Sequence, residues 1–68
     1  MPTWKERYDQ AGRHVALGQK IIERQRMLIN NLKICHASTS AADEILLRFE
    51  RSQAIFEDDL RRISREDR

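Results

Sequence analysis

The length, composition and charge of the chain limit it to a small helical domain. Its 68 residues allow one domain at most. Of these, 35% are charged, while only two are glycine and one is proline, a composition typical of solvated helices. Thirteen basic and eleven acidic residues leave a net charge of +2, which is too balanced to indicate nucleic-acid binding from charge alone.

So short a chain needs an additional source of stability. A domain of this size rarely gains more than about 3–5 kcal/mol from its own core. The single cysteine excludes an internal disulfide, and one cysteine with two histidines disfavours a metal centre within one chain. Association with another chain is the source of stability that remains.

The same features predict a location. One cysteine fits a reducing compartment. No apolar run approaches the ~20 residues of a membrane span, and no signal-peptide pattern opens the sequence. We therefore expect a cytoplasmic protein that does not enter a membrane.

The first predicted helix covers about residues 3–36. Pro2 suits a first turn, and from Trp4 to about His36 no residue breaks a helix outright, although Gly12 and Gly18 weaken it by roughly 1 kcal/mol each. Spacings of four and three, typical of coiled coils, run along this helix through Trp4, Tyr8, Ala11, Val15, Gly18, Ile22, Gln25, Ile29, Leu32 and His36.

The second predicted helix covers about residues 40–65, after a turn at about 37–40. Thr39 and Ser40 are candidate N-caps, and Asp43 suits the positive end of the helix dipole. Its stripe has the same spacing: Ala42, Leu46, Phe49, Gln53, Phe56, Leu60 and Ile63. The two stripes predict an all-α, antiparallel two-helix hairpin.

Each stripe contains one central glutamine. In a hairpin folded at Thr39, Ile29 faces Phe49 and Gln25 faces Gln53. Two buried amides can satisfy each other, whereas an amide against an apolar side chain costs about 1–3 kcal/mol. We therefore interpret Gln25 and Gln53 as a register-setting core pair. The alternative is that both amides reach solvent at the edge of the stripe.

The two flanks of the predicted hairpin differ. One is charged, with Arg26 opposite Glu50. The other is apolar and has no cover within the hairpin; it consists of Ile21, Leu28, Cys35 and Ile45. Because a soluble protein rarely exposes such a surface, we expect a homodimer in which a second copy covers this flank to form a four-helix bundle.

The folding point at Thr39 leaves the start of the first helix without a facing segment. Trp4 and Tyr8 then form an overhang of about two turns. Aromatic anchors often dominate interfaces, so these two residues are a candidate contact for another protein.

Candidate chemistry is sparse. Adjacent helical residues point about 100° apart, so His36 is poorly placed to activate Cys35, and we expect neither catalytic residues nor a cofactor. A metal site formed by Cys35 and His36 across a dimer is an alternative. Another is a nucleic-acid-associated regulator that uses the helix 1 residues Arg13, Lys20 and Arg24.

Two stretches also carry a resemblance: "HVALGQKIIERQRMLINNL", residues 14–32, and "TSAADEILLRFERSQAIFEDDLRRI", residues 39–63. Their Gln-Arg pair, threonine before the second helix, Leu-Leu, Phe-Glu and later glutamine resemble a family of short bacterial helical-hairpin proteins with no established activity. The resemblance implies a helical hairpin and assigns no functional residue. Asp58 and Asp59 stand where the resemblance leads us to expect a more histidine-rich stretch. The matched positions are His14, Val15, Gly18, Gln25, Arg26, Leu28, Ile29, Leu32, Thr39, Leu46, Leu47, Phe49, Glu50 and Gln53.

Taken together, the sequence predicts a small, non-enzymatic interaction or regulatory module that acts as a homodimer.

Overall fold

The chain folds into two antiparallel helices joined by a short turn. The computed structural model describes residues 1–66. Helix α1 spans Trp4–Ile34 and helix α2 spans Ser40–Glu66, with no strand in residues 1–66. The start of α1 lies against the end of α2, because the Trp4 indole contacts the Ile63 carbonyl. The predicted all-α hairpin is confirmed.

The end of α1 explains where the chain reverses. The backbone N–H of His36 donates to the Lys33 carbonyl at 3.0 Å, and that of Ala37 donates to the Leu32 carbonyl at 2.9 Å. This pair of bonds is the Schellman motif. It requires a left-handed residue after the cap, and His36 has a φ of 59°. The helix therefore ends at Ile34, two residues before the predicted end.

The starts of both helices are also held by local hydrogen bonds. Thr3 caps α1 by accepting a hydrogen bond from the Glu6 N–H at 3.2 Å. At the start of α2 the Thr39 carbonyl accepts from the Asp43 N–H at 2.8 Å. The Thr39 hydroxyl donates to the Asp43 carboxylate at 2.9 Å. The Thr3 contact occupies one of the backbone N–H groups that the start of a helix leaves without a partner. The Thr39 carbonyl makes the first regular bond of α2, and its hydroxyl links Asp43 to the start of that helix.

The core between the helices is thin. The most enclosed large aliphatic residues, Ile22 and Ile29, keep 8% and 6% of their surface exposed. The stripe residues Phe49, Phe56 and Leu60 are only half-buried. Two helices enclose few bulky side chains completely, so these three keep one side open.

The two glutamines are buried, but not against each other, which corrects the predicted Gln25–Gln53 pair. Gln53 is 6% exposed, and its Nε2 donates to the Val15 carbonyl at 2.9 Å. Its Oε1 occupies the space beside Gly18, where a Cβ would come within 1.7 Å. Gln53 thus faces Gly18, two turns nearer the open end than Gln25.

Gln25 makes the corresponding contact near the turn. It is 9% exposed, and its Nε2 donates to the Ala42 carbonyl at 2.9 Å. In both cases a long amide lies against a small residue of the opposite helix, where the backbone is within reach. A helical carbonyl can accept a second hydrogen bond because it has two lone pairs, so neither amide donor needs the other amide.

The shifted register removes the predicted overhang. Trp4 is half-buried, and its Nε1 donates to the Ile63 carbonyl at 2.6 Å. This carbonyl is one of the last four of α2, which lack partners within the helix. Beside it, Arg7 forms a two-pronged ion pair with Glu66, with N–O distances of 2.9 and 3.4 Å. The start of α1 is therefore held on α2.

A substitution of Gly18 tests the register. Gly18→Ala should destabilise the protein by about 1–3 kcal/mol, because the new methyl group displaces the Gln53 amide and breaks its bond to Val15. Gly12→Ala is the matched control: nothing lies within 4 Å of its Cβ position, so better helix propensity should stabilise by up to about 1 kcal/mol. Urea unfolding at one protein concentration measures both. Equal effects from the two substitutions would contradict the observed register.

A second prediction concerns the left-handed residue of the turn. His36→Gly should stabilise the protein by about 0.5–1 kcal/mol, because glycine adopts a positive φ without the steric cost of a Cβ. His36→Ala keeps that cost and serves as the control. Thermal unfolding followed by circular dichroism compares the two, and an alanine variant as stable as the glycine variant would contradict the explanation.

Candidate functional site

One flank of the hairpin carries the apolar residues predicted to form an interface. It is marked by the contact between His14 and Phe56, whose ring centroids lie 5.3 Å apart. Ile21 and Leu28 follow His14 at seven-residue steps, and Ile45 precedes Phe56 by eleven residues. Both intervals return a helix to nearly the same face. These side chains therefore share one surface, which we call the apolar flank: Ile21, Leu28, Cys35 and Ile45.

The apolar flank is incompletely covered. Ile21 is half-buried, whereas Leu28 is 47% exposed and Ile45 is 40% exposed. Leu17, one turn before Ile21, is 57% exposed and extends the surface toward the open end. Cys35 is an exposed free thiol at the turn end of the same stripe. The structure thus places large aliphatic side chains of both helices in contact with solvent on one side.

The opposite flank is charged, as the sequence predicted. Arg26 and Glu50 face each other across the helices at 3.7 Å. Both side chains are about half-exposed or more, so the pair adds little stability. Gln19 and Glu57 line the same groove. This flank is compatible with water and needs no cover.

At the open end, the apolar flank continues into a polar cleft of about 410 Å³. Its walls include the ion pair of Arg7 with Glu66 and the pair of Arg62 with Asp59. His14 and Phe56 form its boundary with the apolar flank. The cleft could not be predicted from the sequence, because Arg7 and Glu66 lie 59 positions apart and meet only in the observed register.

Trp4 and Tyr8 have different surroundings from those predicted. Their rings stack at 5.1 Å with an interplanar angle of 17°. The indole is engaged with Ile63, while Tyr8 is 38% exposed. Tyr8 lies beside a shallow groove lined by Leu60, Arg61 and Arg65. Only the tyrosine therefore offers substantial surface to another molecule.

The residues of the alternative hypotheses are exposed and separate. Cys35 and His36 lie in the turn, and residues 1–66 contain no group of three His, Cys, Asp or Glu side chains placed to hold a metal ion. Arg13, Lys20 and Arg24 are all exposed, and their spacings of seven and four place them on one stripe of α1. In the described part of the chain, neither helix is long and apolar enough to cross a membrane.

Comparisons with known proteins add no further assignment. No family model matches the chain. No curated protein and no solved structure matches it either. The resemblance to a family of helical-hairpin proteins therefore stays a prediction, and the surface of the hairpin is the remaining indication of function.

Proposed function

We propose that the chain is a small, non-enzymatic interaction module that acts as a homodimer. The apolar flanks of two copies pack together and form a four-helix bundle. The observation that carries this proposal is the exposure of Leu28 and Ile45 on the same flank as Ile21. A second copy supplies the missing cover with a surface of matching size and polarity.

The total surface supports the same proposal. The accessible surface is 5633 Å², whereas a compact monomer of 8.1 kDa exposes about 4,500 Å². The excess of about 1,100 Å² is of the same order as the ~800 Å² that each partner buries in a stable interface. The elongated shape, 52 × 18 × 14 Å, makes most of one face available for burial.

We place the contact with a different protein at Tyr8. Because Trp4 is hydrogen-bonded to Ile63, the proposed partner contact narrows from the Trp4–Tyr8 pair to the exposed face of Tyr8 and the groove beside it. This surface lies on the charged side of the hairpin, where Arg61 and Arg65 flank the ring. It stays free when the apolar flank is used for self-association.

The dimer is tested by charging the apolar flank. Leu28→Glu should raise the dimer dissociation constant at least about 100-fold, because the interface would bury two unpaired carboxylates, one from each copy. Sedimentation across a dilution series measures the mass, which should be about twice 8.1 kDa for the unchanged chain. The matched control is Met27→Glu: Met27 is 65% exposed and points about 100° away from Leu28, so the dimer should persist. A monomeric unchanged chain, or equal effects of the two variants, would contradict the proposal.

A second experiment separates this function from nucleic-acid binding. We expect no salt-dependent shift of duplex DNA in an electrophoretic assay, since the basic stripe Arg13, Lys20 and Arg24 is balanced by acidic residues elsewhere. A phosphate-binding protein shows a steep loss of affinity as salt rises. Binding with such a slope, abolished by Lys20→Glu, would favour the nucleic-acid alternative.

A further inference from the structure

We propose that the two copies pair with both turns at the same end, so that α1 of each copy packs on α2 of the other. This inference rests on the proposed homodimer and specifies its geometry. A twofold axis that relates two packed hairpins lies in the plane between them. When the axis runs along the helices, both turns lie at one end and α1 faces the second copy's α2. When it runs across the helices, the turns lie at opposite ends and like helices face each other.

The charges of the two helices favour the first arrangement. Helix α1 carries seven basic and three acidic residues, a net charge of +4. Helix α2 carries five basic and seven acidic residues, a net charge of −2. Facing α1 with the second copy's α2 pairs opposite net charges, whereas facing α1 with α1 sets two positive helices against each other. Like charges brought together across an interface are unfavourable.

The basic stripe makes this repulsion local. Arg13 and Lys20 lie four and three residues from Leu17, and Arg24 lies four residues before Leu28. These are the spacings of neighbours on a helix surface. The stripe therefore borders the apolar flank along α1. With like helices facing, the two stripes would meet at the rim of one interface.

The distribution of polarity along the hairpin supports the same arrangement independently. The turn half of the flank is apolar, with Leu28 and Ile45 exposed. The open-end half is the polar cleft, with the charged side chains of Arg7, Arg62 and Glu66. With both turns at the same end, apolar surface meets apolar surface and cleft meets cleft. With the turns at opposite ends, each cleft would be pressed against aliphatic side chains, which removes water from charged groups at a large cost.

The paired clefts have a further consequence. Each cleft is bounded by ion pairs within its own chain, Arg7 with Glu66 and Arg62 with Asp59. Because the charges are already paired, the two clefts can face each other with water between them. The open end of the bundle is then a wet, charged region, and the turn end is the dry one.

Distances between spin labels distinguish the arrangements. In a Cys35→Ser background, Ser38→Cys places a label in the turn and Lys5→Cys places one near the open end; both sites are exposed and off the flank. With the turns together, both variants should give label distances below about 30 Å, since packed helices lie about 8–10 Å apart. With the turns at opposite ends, both should give about 45 Å, the length of a 31-residue helix.

Cross-linking provides a second measurement. In the same Cys35→Ser background, the Ser38→Cys thiol lies in the turn and off the flank that the dimer buries, so a bismaleimide too short to span the helix length should link the two copies within the dimer when the turns are together. Short label distances and efficient linking support the proposal. Long distances with a dimeric mass would overturn the arrangement and leave the homodimer intact. A monomeric mass would overturn both.

Discussion

The structure depends on one contact, the Gln53 amide seated over Gly18 and bonded to the Val15 carbonyl. The Gln53 Nε2 donates to this backbone carbonyl. The Gln53 Oε1 is buried against Gly18, the one stripe residue without a side chain, and has no hydrogen-bond partner among the described residues. A shift by one helical layer would drive this amide into a side chain. The contact therefore fixes which layers meet, and the bond of Trp4 to Ile63 and the ring contact of His14 with Phe56 follow from it.

Much of the fold could be predicted from the sequence, because it depends on local spacing. The four-three stripes identify two helices, and "HASTSA" identifies the turn between them. Flanks follow from helical period alone, which is why the charged side was predicted correctly and Arg26 meets Glu50. Long side chains can meet across an offset along the helix axis, so this pair forms even though the predicted register was wrong.

Register was not predictable by matching side chains with side chains. When residues are counted outward from the turn, Gln25 falls opposite Gln53. In the structure both amides instead bond to backbone carbonyls beside small residues. Gly18 lies in the α1 stripe and marks the place where a side chain of α2 can approach closely. From the sequence, however, this glycine predicted only a weaker helix. The Schellman end at His36 also moved the reversal toward α1. Without the register, the polar cleft at the open end could not be assembled from Arg7 and Glu66.

Because the core of one hairpin is thin, folding of the proposed dimer depends on how much of the protein is present. Ile22 and Ile29 are the only large aliphatic residues buried among those described, so one hairpin has little apolar burial with which to offset the entropy of ordering its backbone. In the proposed assembly, the second copy supplies the missing burial, so the free energy of folding contains a term in protein concentration. The amount of folded protein would then rise more steeply than the amount synthesised. A cell producing only a few copies would hold mostly unfolded, protease-sensitive chain, which would give the protein a threshold of expression below which it does not persist.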